Sequence, residues 1–271
     1  MPDITMAGPL LAAVCYYGTV LMTAELTRRL LDKTISKKTS FHRFLIELIG
    51  TAQICTCVFE NALIVQHYGV SSFFIVTTIL GFLYTSTGRG SYNTPLSPIE
   101  QLYYGEIRLS RFLLFLLAEI IGGAVAWHIA RTLWFHSLQY SQAHMEMFVN
   151  SQNMCSIVHQ RDFLIVLAYE VAGCFAMRSV LPRLPANVSK YLAPAFIASL
   201  FSFAILFIGD SGLDPIVASS LFFGCNGLSA QWFILLYWVC PVVGWMLGAY
   251  IDRRPPKTPK KLKRAAKKKS E

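Results

Sequence analysis

Long apolar runs alternate with short polar stretches along this chain. Seven of the runs, near 6–27, 44–66, 72–87, 112–134, 163–182, 191–209 and 230–251, predict helices that cross a membrane. A helix needs about 20 apolar residues to cover about 30 Å of hydrocarbon, and only the 72–87 run falls clearly short. The first run is followed, not preceded, by its basic cluster and has Asp3 ahead of it, so it reads as a retained helix and not as a cleaved signal. Two further segments, "NTPLSPIEQLYYG" and "SGLDPIVASSLFFGC", are broken by Pro and Gly or Asp and then turn apolar for too few residues to span. Each predicts a half-helix that dips into the membrane and returns, a structure that survives there only when buried in protein or lining a wet cavity.

Leaving out the first run, the two halves of the chain repeat. Glu47 in "FLIELIGTAQ" matches Glu170 in "VLAYEVAGCF", Asn93 matches Asp214, and "LAEIIGGAVA" lies over "VCPVVGWMLGA", at offsets of 123, 121 and 122. Each half reads as helix, helix, broken segment, helix. Three crossings per half make the second copy enter from the opposite face, which is an inverted repeat. The two half-helices then meet near the midplane with the positive N-terminal ends of their dipoles facing each other.

Composition agrees with a lipid setting, since 54% of the 271 residues are hydrophobic and 14% charged. Charge distribution adds an orientation. Lys and Arg crowd 28–43, recur at Arg89, Arg108, Arg111, Arg178, Arg183 and Lys190, and number ten after Asp252, whereas 67–71, 135–160 and 210–229 hold none. Basic loops stay cytosolic, so the C-terminus is expected in the cytosol and the N-terminus on the far face. The net charge of +9 reflects this topology. The tail reads as a solvated arm that grazes anionic lipid, and no nucleic-acid-binding domain accompanies it.

Reactive chemistry is sparse. Six of the seven cysteines lie in or beside apolar runs and Cys155 in a polar loop, so neither a disulfide framework nor a metal pattern is expected. The histidines are scattered, and no metal or cofactor site is expected. An intramembrane enzyme built on the buried acids would need clustered acid, base or nucleophile sets, which the sequence lacks.

The repeat, the paired Asn-Pro-type boxes and "LLYWVCPVVGWMLG" together resemble the aquaporin family of major intrinsic proteins. "LIGTAQICTC", the extra N-terminal hydrophobic segment and Cys225 eleven positions after Asp214 resemble its unorthodox, aquaporin-11-like intracellular branch, over about 40–251. The resemblance implies an all-α membrane fold: an inverted repeat of six transmembrane helices, two re-entrant half-helices and one additional N-terminal helix. The chain divides into a hydrophobic helix and basic linker (1–43), a channel domain (44–251, with repeats 44–134 and 163–251) and a basic tail (252–271). Where aquaporins carry Asn-Pro-Ala twice, this chain has Asn93-Thr94-Pro95 and Asp214-Pro215-Ile216, and Val217 takes the place of the family's filter arginine.

Roles follow residue by residue. By resemblance, Glu47 and Glu170 accept hydrogen bonds from the backbones of the re-entrant loops. Asn93 and Asp214 are expected to cap the half-helices, since both residue types accept the unpaired N–H groups of a first turn. Pro215 suits the first helical position, and Pro95 falls one step later than the match predicts. Cys225 is expected as a buried thiol that supports its loop, Glu60 to reach the interface from a helix end, and Glu119 to stand where aquaporins usually have a polar amide. The sequon at Asn187 is expected on the cytosolic side, unmodified. Lys268 and Lys269 in "KKKSE" resemble a dilysine retrieval signal of the endoplasmic reticulum. The reading is a passive channel for water or small neutral solutes such as glycerol or hydrogen peroxide, a homotetramer by resemblance. Its alternative is a non-conducting scaffold with the same fold.

Overall fold

The computed structural model describes residues 4–137, 140–151 and 155–252. The tail with Lys268 and Lys269 lies outside the described residues. Six helical elements among those described are long and apolar enough to cross a membrane. Helices dominate because lipid offers the backbone no partners, so each N–H and C=O must be satisfied within its own segment.

Helix α1 (Ile4–Thr34) runs well beyond the apolar stretch that predicts it, so Arg28, Arg29 and Lys33 are helical and only 35–39 remains as a linker. Arg28 is fully buried and donates to Gln53 Oε1 at 2.7 Å. Helix α2 (Ser40–Thr87) carries both of the next two apolar runs. It reverses at Gly69, whose φ of 77° suits a residue without Cβ. The Asn61 amide reaches the Thr77 hydroxyl at 3.4 Å across 16 residues, which one straight helix would hold about 24 Å apart. Two antiparallel arms, 40–68 and 70–87, therefore make two passes.

The half-helices are α3 (Leu96–Tyr103) and α8 (Pro215–Phe222). Spanning helices α4 (Leu109–Ser137), α6 (Phe163–Val180) and α7 (Ser189–Phe207) surround them, with a short α5 (Gln142–Asn150) in the loop between α4 and α6. The last span joins α9 (Ala230–Ile234), a π-helical stretch (Leu235–Val239) and α10 (Cys240–Asp252).

Two tight crossings display the duplication. A side chain on Gly122 of α4 would stand 2.7 Å from the Leu48 carbonyl of α2, and one on Gly244 of α10 would collide with the Val171 carbonyl of α6. Only residues without a Cβ let the helices approach so closely. The half-helices are exchanged between repeats, because α3 packs on α10 and α8 packs on α4. Each half thus supplies the wall that holds the other's loop.

One sequence expectation fails away from the pore. Glu60 does not reach an interface. It is fully buried, accepting from Trp134 Nε1 at 2.8 Å and facing His144 Nε2 at 2.8 Å, while His144 Nδ1 meets Ser141 Oγ at 2.8 Å. The polar loop 135–160 contains α5, whose His144, held by the capping Ser141, reaches Glu60 on α2.

Candidate functional site

The site grows from two loops whose backbones turn inside the protein, away from water, and need donors and acceptors from elsewhere. In the second loop, Glu170 of α6 is fully buried and takes three hydrogen bonds at 2.8 Å, from Ser211 Oγ and from the amides of Gly212 and Leu213. Leu213 needs that hold, because its φ of 47° lies in the left-handed region, at a cost of roughly 1–2 kcal/mol for a residue with a Cβ. In the first loop, Glu47 of α2 accepts from the amides of Tyr92, at 3.1 Å, and Asn93, whose φ is 55°. The two clamps correspond in their pairs of backbone amides, and only the second adds a serine hydroxyl.

That correspondence fixes the register of the boxes. Tyr92 and Asn93 stand where Gly212 and Leu213 stand, so Thr94 matches Asp214 and Pro95 matches Pro215. Asn93 therefore does not cap its half-helix. Its Nδ2 donates to the Ser91 carbonyl at 3.2 Å, and its side chain lies against Gly50 of α2. The capping position belongs to Thr94, whose Oγ1 receives the Leu96 amide at 3.4 Å, with Pro95 already in helical conformation. On the other side Asp214 caps as expected, Oδ1 accepting from Ile216 and Val217 at 2.9 Å each, with Pro215 in the first turn. The Thr94 side chain lies beside the Asp214 carboxyl, so the two capping residues meet. Both half-helices thus point their N-termini at one junction.

Among curated proteins, a Caenorhabditis elegans protein described as an aquaporin-10 is 36% identical over 271 aligned residues, covering 96% of this chain and 96% of its own. The chain belongs to the aquaporin family. Aquaporin-11 of Milnesium tardigradum is 27% identical over 90% of this chain and 88% of its own, and human aquaporin-11 is 23% identical over 90% and 86%. These relatives agree with the aquaporin-11-like branch. No protein-family model matches the sequence. As an aquaporin, the chain is a multi-pass membrane protein whose relatives are channels for water and small solutes rather than enzymes.

The rest of this aquaporin's site lies around the junction. Ile216 and Val217 join an apolar cluster against which Val76, Leu80, Phe201, Ile205 and Trp238 pack. Helix α8 is tied laterally, Ser220 Oγ donating to the Gly123 carbonyl at 2.8 Å and Trp238 Nε1 to Ser219 Oγ at 3.0 Å. Its far end is held covalently, since Cys225 forms a disulfide with Cys155. This corrects the expectation of a buried thiol. The partners lie 70 residues apart on two different polar loops, a pairing that spacing alone does not show.

Sequence reasoning also passed over the anchor of α3. Glu100 takes Arg178 Nε at 2.6 Å and Nη2 at 2.8 Å, together with Trp245 Nε1 at 2.8 Å, which pins the first half-helix to α6 and α10. A buried acid on one amphipathic turn and an Arg four residues past Cys174 gave no local signal, since they meet only through the exchange of half-helices. The loop ahead of α3 is braced from α1: Arg89 reaches Glu25 at 2.7 Å and Asp32 at 2.8 Å, and hydrogen bonds to Glu25 foremost hold its guanidinium above its usual pKa range. At the opposite entrance Asp210 Oδ2 accepts from the Val158 amide at 2.7 Å. Burial pushes the Asp210 carboxyl up and holds the His159 imidazole below its ordinary range.

Proposed function

We propose that this aquaporin is a passive channel for water and small neutral solutes, glycerol and hydrogen peroxide among them, working as a homotetramer in an intracellular membrane. The observation that carries the reading is the junction of Thr94 and Asp214, with each half-helix held by a buried glutamate at its entry. Capped N-termini at the midplane oppose cations through their dipoles. The passing solute meets polar atoms of Thr94 and Asp214 on one side and apolar Ile216 and Val217 on the other. With Val217 in place of a filter arginine, selectivity rests on width and apolar lining, which suits small uncharged solutes.

Orientation has two supports. The basic loops favour a cytosolic C-terminus. The Cys155–Cys225 disulfide sits at the opposite ends of the helices, and such bonds persist in oxidising compartments such as the lumen of the endoplasmic reticulum. Lys268 and Lys269 would then be placed for retrieval from the cytosolic side. The channel unit is 44–251, with 1–43 as a bracing helix and linker and 252–271 as a tail.

One observation favours a second reading, a scaffold that keeps the fold without conducting: the apolar packing around Val217. Proteoliposomes separate the two. The channel reading expects faster entry of water, glycerol or peroxide than into empty vesicles, with no ion conductance. Equal rates for every neutral solute would establish the scaffold instead.

A further inference from the structure

Glu119 of α4 has no role in the account so far, and its surroundings are unusual. It is fully buried, and neither carboxyl oxygen has an N–H or O–H donor in hydrogen-bonding geometry. Among the described residues no cation pairs with it. The titratable groups that face it are Glu47 and Cys55 of the first α2 arm, Tyr84 of the second arm and Asp214 at the head of α8. Glu119 stands one helical turn before Gly122, whose tight crossing against Leu48 and Thr51 turns this face of α4 toward Glu47 of α2, and the Thr94 amide is nearby.

Two carboxyl groups buried side by side with no cation between them cannot both stay ionised. A proton must lie there. Glu47 already accepts two backbone amides, which favours its acceptor form, whereas Glu119 accepts none in good geometry. We infer that Glu119 is a carboxylic acid in the resting protein, and that it donates its proton to Glu47 and thereby positions the first pore loop from α4.

The consequence reaches both loops. Glu119 meets Glu47, Glu47 holds the amides of Tyr92 and Asn93, and Thr94 passes from that loop to Asp214. A neutral Glu119 also removes one negative charge from beside the junction, where three ionised acids would attract the cations that the half-helix dipoles oppose. Glu119 is thus a positioning residue. It touches no solute and acts through Glu47.

The inference rests on taking these loops as the pore lining, but its main test does not depend on flux. Infrared spectra of the reconstituted full-length protein at neutral pH should contain a carboxylic-acid C=O band that shifts in D2O and disappears in Glu119→Gln. Glutamine keeps a donor toward Glu47, so Glu119→Gln should fold and retain solute flux within about twofold of wild type. Glu119→Ala should lower flux by about tenfold or more, the factor expected on losing one hydrogen bond to a charged acceptor. Should Glu119→Ala fail to fold, Glu119→Asp keeps an acid, and its C=O band should move rather than vanish. An unchanged acid region between wild type and Glu119→Gln would overturn the inference, as would a Glu119→Gln protein as impaired as Glu119→Ala.

Discussion

Replacing Glu170 separates a carboxylate that holds a loop from one that merely fills space. In Glu170→Ala the amides of Gly212 and Leu213 lose their acceptor in a buried setting, and Ser211 loses its own. Each orphaned backbone N–H costs about 1–3 kcal/mol, so the pair costs roughly 2–6 kcal/mol. Leu213 is then left in a left-handed conformation that nothing compensates. Glu170→Gln keeps one oxygen, which serves the Gly212 or the Leu213 amide but not both, and the loss should be about 1–3 kcal/mol. On the scale of globular proteins of 150–250 residues, 1 kcal/mol moves the melting temperature by about 2–4 °C. Thermal unfolding in lipid nanodiscs should therefore rank wild type above Gln above Ala, with the two variants clearly resolved. Solute flux should fall in the same order. A Glu170→Ala protein with wild-type melting and wild-type flux would refute the clamp, and so would a Gln variant no better than Ala.

Asp214→Asn keeps the Oδ1 acceptor for Ile216 and Val217, so its stability should match wild type while any cation leak falls; Asp214→Ala should lose about 0.5–2 kcal/mol in the same melts. Gly244→Ala places a methyl group against the Val171 carbonyl and should cost about 1–3 kcal/mol by overpacking the α6–α10 crossing, read as a lower melting temperature. The sequon at Asn187 is exposed and lies at the end of α6 remote from the disulfide, so cells that glycosylate lumenal sequons should leave it bare. A glycan on native Asn187 would reverse the orientation.

The repeat was readable because it is written in spacing: Glu47 with Glu170 and Gly122 with Gly244 recur at nearly one offset, and the structure uses both pairs in equivalent contacts. The half-helix at Asp214 was readable because its capping acid and its proline stand side by side. The first box was not. Asparagine is the stronger capping residue on its own merits, yet the chain spends Asn93 on a left-handed turn that asparagine tolerates, and leaves the cap to Thr94. The register emerges only from which amides Glu47 holds. The disulfide and the Glu100–Arg178 anchor were hidden for a related reason, since both join segments distant in sequence that meet only in the folded chain. Glu60 was misread because α5, whose His144 reaches it, lies inside a loop of mixed polarity.

The central claim is that solute passes the junction beside α8, and a size series at Val217 tests it most directly. Val217 lies on the first turn of the half-helix, next to the capped Asp214, so its side chain should set the width of the path. Permeability to water, glycerol and peroxide should be measured in proteoliposomes matched for folded protein. The account predicts that it rises in Val217→Ala and falls toward that of empty vesicles in Val217→Trp. Equal permeability across wild type, Ala and Trp would contradict it.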